Sequence, residues 1–235
     1  MSADMRLTLR ALSALLGYPS AELQENIGDV RAALRQEGAL PPRAMERLEP
    51  LLQAFETQEL LDLQAEYSDL FDRSRSLSLH LFEHVHGDSR ERGQAMIDLG
   101  QHYIDHGFAI QSSELPDFLP LFLEFLSCSD PVEARTWLSE PAHVLQALEE
   151  RLAERGSSYG AIFHALLALA RATPDRRAVA ELQQRYREEQ AKSIDEEWED
   201  APVDFSAPLH PGGGPTGVIA KIRAARRAVR QATKG

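Results

Sequence analysis

Glu114-Leu115-Pro116-Asp117-Phe118-Leu119-Pro120-Leu121-Phe122-Leu123-Glu124-Phe125-Leu126 is the most apolar stretch of the chain, and its reading decides the fold class. Leu115, Phe118, Leu119, Phe122, Phe125 and Leu126 recur at the spacing of one helix face. Pro116 suits a first turn. Pro120 lies deeper and removes a backbone donor, which predicts a kink or a late helix start. On this reading Asp117 and Glu124, seven residues apart, share a helix face and can do acid–base work or receive arginines of a bound peptide.

The same periodicity extends in both directions. Met5, Leu9, Leu12 and Leu16 form a stripe ended by Gly17 and Pro19. Ser20 is placed to cap a helix carrying Leu23, Ile27, Val30 and Leu34 as far as Gly38. Met45 to Phe55 and Leu60 to Phe71 follow. Asp88 is placed to cap a helix with Met96, Leu99 and Tyr103 that ends near Gly107. Asp130-Pro131 starts another. Val144 to Leu152, Ile162 to Ala170 and Val179 to Tyr186 complete the series. Leucines number 33 against 16 valines and isoleucines together, a bias toward helix. Only Leu77-Ser78-Leu79-His80-Leu81 alternates like a strand; with no partner strand in sight it reads as helix or turn. The prediction is an all-α single globular domain of about ten helices over residues 1–190.

Composition bounds the function classes. The 235 residues carry a net charge of −12, which argues against nucleic-acid binding and suits a basic partner. A single cysteine, Cys128, excludes an internal disulfide and a multi-thiolate zinc site. No secretory leader and no apolar run of membrane-spanning length is visible, so the expectation is a cytoplasmic protein without stable membrane insertion. Charge is unevenly spread: −11 over residues 1–187, −7 over 188–204 and +6 over 205–235. Pro208 to Pro215 is a Pro/Gly run. Residues 191–235 therefore read as an acidic linker, a Pro/Gly run and a flexible basic tail.

Five of the eight histidines, His80, His84, His86, His102 and His106, fall close together in sequence. Two pairs are four apart, a spacing that can chelate a metal on a helix, with Glu83 or Asp88 to complete the set. This supports one alternative function, an all-α metal-dependent hydrolase using the His80–His106 cluster. The plainer reading has these histidines capping, hydrogen-bonding or facing solvent, with no metal. No nucleophile elbow, phosphate loop or dinucleotide fingerprint is present, and no catalytic residue is assigned. A generic helical adaptor is a further alternative.

Three motifs carry a resemblance: Tyr67-Ser-Asp-Leu-Phe71-Asp72-Arg73; Ser78 to Met96, which includes Glu83-His84-Val85-His86-Gly87-Asp88-Ser89-Arg90-Glu91-Arg92; and Glu114 to Leu126. With Leu12 to Pro19, they resemble the NarJ family, a branch of the TorD/DmsD-like redox-enzyme maturation chaperones, over roughly residues 5–190. Phe118 follows Pro-Asp where the wider group often has histidine, which favours the nitrate-reductase branch. The resemblance implies a TorD-like helical fold and a non-enzymatic role with no cofactor of its own. Such chaperones bind the apo catalytic subunit of respiratory nitrate reductase through its N-terminal segment, with a second region of that subunit a further contact. They keep it competent for molybdenum-cofactor insertion and for docking on the membrane anchor. A monomer and a dimer both stay open. An amphipathic client helix needs an apolar groove with a charged rim. The expectation is one groove lined by the Tyr67–Phe71 and Glu114–Leu126 helices. Tyr67, Phe71 and Phe118 are its aromatic walls, and Glu114, Asp117 and Glu124 its negative charge. The His84–Arg92 turn is its rim, and Glu83, His84, His86, Asp88, Arg90 and Arg92 join the client-binding candidates.

Overall fold

Leu9, Leu12 and Leu16 sit one helical turn apart and close against the apolar helix that follows Phe118, and this pairing centres the fold. The computed structural model describes residues 4–87, 89–110 and 114–198, with side chains as far as 188. Among these residues there are twelve α-helices and no strand. They are α1 (Arg6–Leu16), α2 (Ala21–Glu25), α3 (Ile27–Glu37), α4 (Pro42–Thr57), α5 (Leu60–Tyr67), α6 (Leu81–His86), α7 (Glu91–Asp105), α8 (Leu119–Cys128), α9 (Pro131–Ser139), α10 (Ala142–Glu154), α11 (Gly160–Ala170) and α12 (Arg176–Trp198). The fold is all-α, as the leucine periodicity predicts. Most of the tail expected over 191–235 lies outside the described residues, as does Asp88 with its expected cap.

Packing follows from the stripes. α1 lies on α8 and α3, and α11 lies on α10, α4 and α9. Leu9, Leu12, Phe125, Ile162, Phe163 and Leu166 are fully buried in one continuous core. Each such side chain contributes about 1.5–3 kcal/mol by leaving water. Helix ends obey local chemistry. The Ser20 hydroxyl accepts from Leu23 N at 3.1 Å, and the Asp130 carboxylate accepts from Val132 N at 2.8 Å ahead of Pro131. Gly38 closes α3 at φ +63°, where a side chain would be strained.

Two helix predictions are corrected. The expected Ser20–Gly38 helix is broken at Asn26, whose side-chain amide donates to Glu22 O at 2.7 Å and ends the first piece. The Glu114–Leu126 stretch is helical only from Leu119, so Pro120 falls in the first turn, the late start that its position predicts. The cause is a crossing of two segments. Leu119 N donates to Leu79 O at 2.8 Å and Leu81 N donates to Asp117 O at 3.0 Å. His80 and Phe118 thus form an antiparallel bridge, the one bridge of the alternating Leu77–Leu81 segment among the described residues. Phe118 is held extended, and Asp117 and Glu124 do not share a helix face.

Candidate functional site

The seam of Leu79–Leu81 against Asp117–Leu119 organises the polar chemistry. Asp117 is completely buried. Its carboxylate accepts from Phe82 N at 3.0 Å, in the first turn of α6, and pairs with His80 Nδ1 at 3.1 Å. It therefore caps a helix from a distant part of the chain. The hydrogen bond to Asp117 raises the His80 pKa above its ordinary value, against the opposing effect of burial. The His80 and Phe118 rings stack at 5.3 Å across the seam.

Two surface grooves meet there. The first, about 660 Å³, is lined by Ser13, Ala14, Gly17, Phe108, Ala109, Glu114, Phe118, Pro120, Leu121 and Glu124. Its floor is apolar. The exposed Glu114 and Glu124 are its only charged groups among the described residues. Ser13 and Ala14 on α1 and Gly17 at its C-terminal cap line it, and the Ser13 hydroxyl ties α1 to α8 by donating to Pro120 O at 2.7 Å. The second groove, about 600 Å³, has mixed charge: Phe71, Asp72, Arg73, Arg75, Ser78, His80, Glu83 and Arg92. Glu83 pairs with Arg92 at 3.0 Å within it.

The residues expected to line one groove are thus shared between two, and several are buried. Glu114, Phe118 and Glu124 line the acidic groove; Phe71, Glu83 and Arg92 line the mixed one. Tyr67 is not a wall. It is buried in an aromatic cluster, 4.9 Å from Phe71 and 6.1 Å from Tyr159, and its hydroxyl donates to Leu16 O at 2.9 Å. Burial pushes the Tyr67 pKa up. His84 is not at a rim. Its Nδ1 meets the Tyr186 hydroxyl and its Nε2 meets Ser78 O at 2.7 Å. Burial pushes its pKa down to about 4, so the ring is neutral. His86 is half-buried with its ring 5.5 Å from Phe82, and Arg90 is exposed at the start of α7. Asp117 is enclosed and cannot meet a partner's arginine at the surface.

The histidine cluster expected for a hydrolase is dispersed. His80 is paired with Asp117 and His84 with Tyr186 and Ser78, and Glu83 pairs with an arginine. Only His102 and His106 stay together, beside Glu133. Sequence reasoning missed Phe108, Leu121 and the small residues of α1. The small pair Ser13-Ala14 ahead of the Gly17 helix stop was the available signal, because small side chains leave room for a cleft.

The all-helical domain has the fold of a solved redox-enzyme maturation protein. A crystal structure from Archaeoglobus fulgidus described as a candidate redox enzyme maturation protein superposes with TM-score 0.52. It is 22% identical and the match covers 71% of this chain and 93% of that one. At that identity the likeness is one of fold. Sequence gives the family. Residues 20–165 match the family model described as nitrate reductase delta subunit. Escherichia coli K12 NarJ, a nitrate reductase molybdenum cofactor assembly chaperone, is 42% identical over 202 residues, 86% of each chain. E. coli NarW is 38% identical over 198 residues, 84% of this chain and 83% of its own. The chain belongs to the nitrate reductase delta subunit family, that of the NarJ chaperones. No helix among the described residues is long and apolar enough to cross a membrane.

Proposed function

We propose that this chain is a cytoplasmic, non-enzymatic assembly chaperone for respiratory nitrate reductase. It binds the apo catalytic subunit through that subunit's N-terminal segment and keeps it competent for molybdenum-cofactor insertion, ahead of docking on the membrane anchor. The cofactor is cargo of the client. The observation that carries this reading is the acidic groove: an apolar floor of Phe108, Phe118 and Leu121 between Glu114 and Glu124.

The geometry suits an amphipathic helix bearing arginine or lysine. Its apolar face lies on Phe118 and Leu121, and its cations reach the two carboxylates. Exposed carboxylates contribute modest affinity each but steer association and exclude acidic segments. The net charge of −12 adds long-range attraction for a basic segment. The mixed-charge groove of Phe71, His80, Glu83 and Arg92 is the place assigned to a second region of the client, because its alternating signs match no single-sign peptide.

The test is mixing of the purified chain with apo catalytic subunit, followed by size-exclusion chromatography. A stable complex with the apo form, released when the cofactor is loaded, is the expected result. Equal binding of apo and mature subunit would refute a role before cofactor insertion.

A further inference from the structure

The two histidines that remain together line neither groove. His102 lies in the last turn of α7 and His106 caps its end; Glu133 lies in the first turn of α9. One donor atom from each falls within 4.8 Å of the others. We propose that His102, His106 and Glu133 form a binding site for a divalent transition ion of the zinc class, clamping the end of α7 to the start of α9.

Three features of the geometry support an ion rather than a simple ion pair. First, His106 Nδ1 lies 2.8 Å from His102 O. A carbonyl only accepts, so Nδ1 carries the proton, and in the neutral ring Nε2 presents a lone pair. That lone pair faces Glu133 Oε1 at 3.3 Å. Two acceptors so placed need a proton or a cation between them. Ligands about 2.05 Å from a tetrahedral zinc stand roughly 3.3 Å apart, so the observed spacing is already that of two ligands on one ion. Second, a proton would satisfy only His106 and Glu133. One ring nitrogen of His102 lies within 4.8 Å of the other two donor atoms, and His102 Nε2 is buried and makes no hydrogen bond among the described residues. Third, the Nδ1 bond of His106 to a backbone carbonyl is the outer contact that fixes a metal-binding histidine.

The surroundings agree. The C-terminal end of α7 carries partial negative charge, which favours a cation. Phe125 lies 5.6 Å from the His102 ring and Trp137 lies 4.2 Å from it, so two apolar walls hold the ring in place. His106 and Glu133 are each 38% exposed, which leaves an entry path. Two imidazoles with one carboxylate select zinc, cobalt or nickel over magnesium and calcium, which prefer oxygen. Three protein donors leave a fourth position for water.

The full-length, tag-free chain is titrated with Zn²⁺ by calorimetry. In a Trp198→Phe background, Co²⁺ quenching of Trp137 fluorescence gives an independent reading, reversed by Zn²⁺. One-to-one binding is expected, with no competition from a large excess of Mg²⁺. His102→Gln, His106→Gln and Glu133→Gln should each weaken it at least about tenfold, while His143→Gln leaves it unchanged. Metal-free melting curves establish that each variant is folded; should His102→Gln unfold, the surface variants His106→Gln and Glu133→Gln carry the test. Absence of saturable binding, or unchanged affinity in folded His106→Gln and Glu133→Gln proteins, would overturn the assignment.

Discussion

Asp117→Ala separates an interior staple from a surface charge. The substitution removes the acceptor of Phe82 N at the start of α6 and the partner of His80. A hydrogen bond to a charged group contributes about 1.5–3 kcal/mol, and an orphaned donor adds a penalty of similar size. The His80 contact is discounted because that side chain is 25% exposed. Together these give a loss of about 3 kcal/mol, or a Tm lower by roughly 6–12 °C in a domain of this size. The loss depends on pH with a definite sign. Pairing raises the His80 pKa in the folded state, so its contribution is fully present below about pH 6.5, the unfolded value, and fades as pH rises through the raised folded value. The destabilisation should therefore be larger at pH 6 than at pH 8. Asp117→Asn keeps an acceptor for Phe82 and should lose about half as much. Urea unfolding followed by circular dichroism at both pH values checks this. An unchanged midpoint in Asp117→Ala, with weaker binding of a basic peptide, would refute the staple and return Asp117 to the surface.

Other expectations follow from the same geometry. His84 is neutral when folded, with a pKa near 4, and binds a proton below about 6.5 when unfolded. Its contribution is present above pH 6.5 and is lost as pH falls toward 4, about 2 kcal/mol by pH 5; urea midpoints of wild type and His84→Asn across pH 5–7 should show the steeper slope in wild type. Tyr67→Phe deletes the bond to Leu16 O and should lower stability by about 1 kcal/mol with little change in packing, measured by thermal melting. Glu124→Ala, on an exposed turn of α8, should leave the melting curve within about 0.5 kcal/mol of wild type while reducing affinity for a basic client segment in calorimetry.

Much of the fold was legible in local chemistry. Ser20, Gly38, Asp130-Pro131 and Gly156 mark helix ends because capping and left-handed backbone depend on neighbours one turn away. The start of α8 was only partly legible. Pro120 announces a late start, but Phe118 is extended because Leu79–Leu81 crosses it, and no local pattern encodes a bridge to His80, 38 residues upstream. The same limit applies to the candidate site. Glu114, Phe118 and Glu124 emerged from the motif itself and do line one groove. Asp117 has the same composition signature as a rim acid, and only the tertiary contact with His80 and Phe82 makes it interior. His84 reads as polar rim until Tyr186, 102 residues later, encloses it. Phe108 and Leu121 gave no signal as groove floor, since an apolar side chain looks alike in sequence whether it faces core or cleft.

The central claim is that a basic amphipathic segment of the client seats between Glu114 and Glu124. Its most direct test is calorimetric titration with the N-terminal peptide of the nitrate reductase catalytic subunit, beside a scrambled peptide, at two salt concentrations. Wild type is compared with Glu114→Gln/Glu124→Gln. The account predicts selective one-to-one binding that weakens with salt, with both the affinity and its salt dependence reduced in the double variant. Identical affinity and salt slope in a folded double variant, or equal binding of the scrambled peptide, would contradict it.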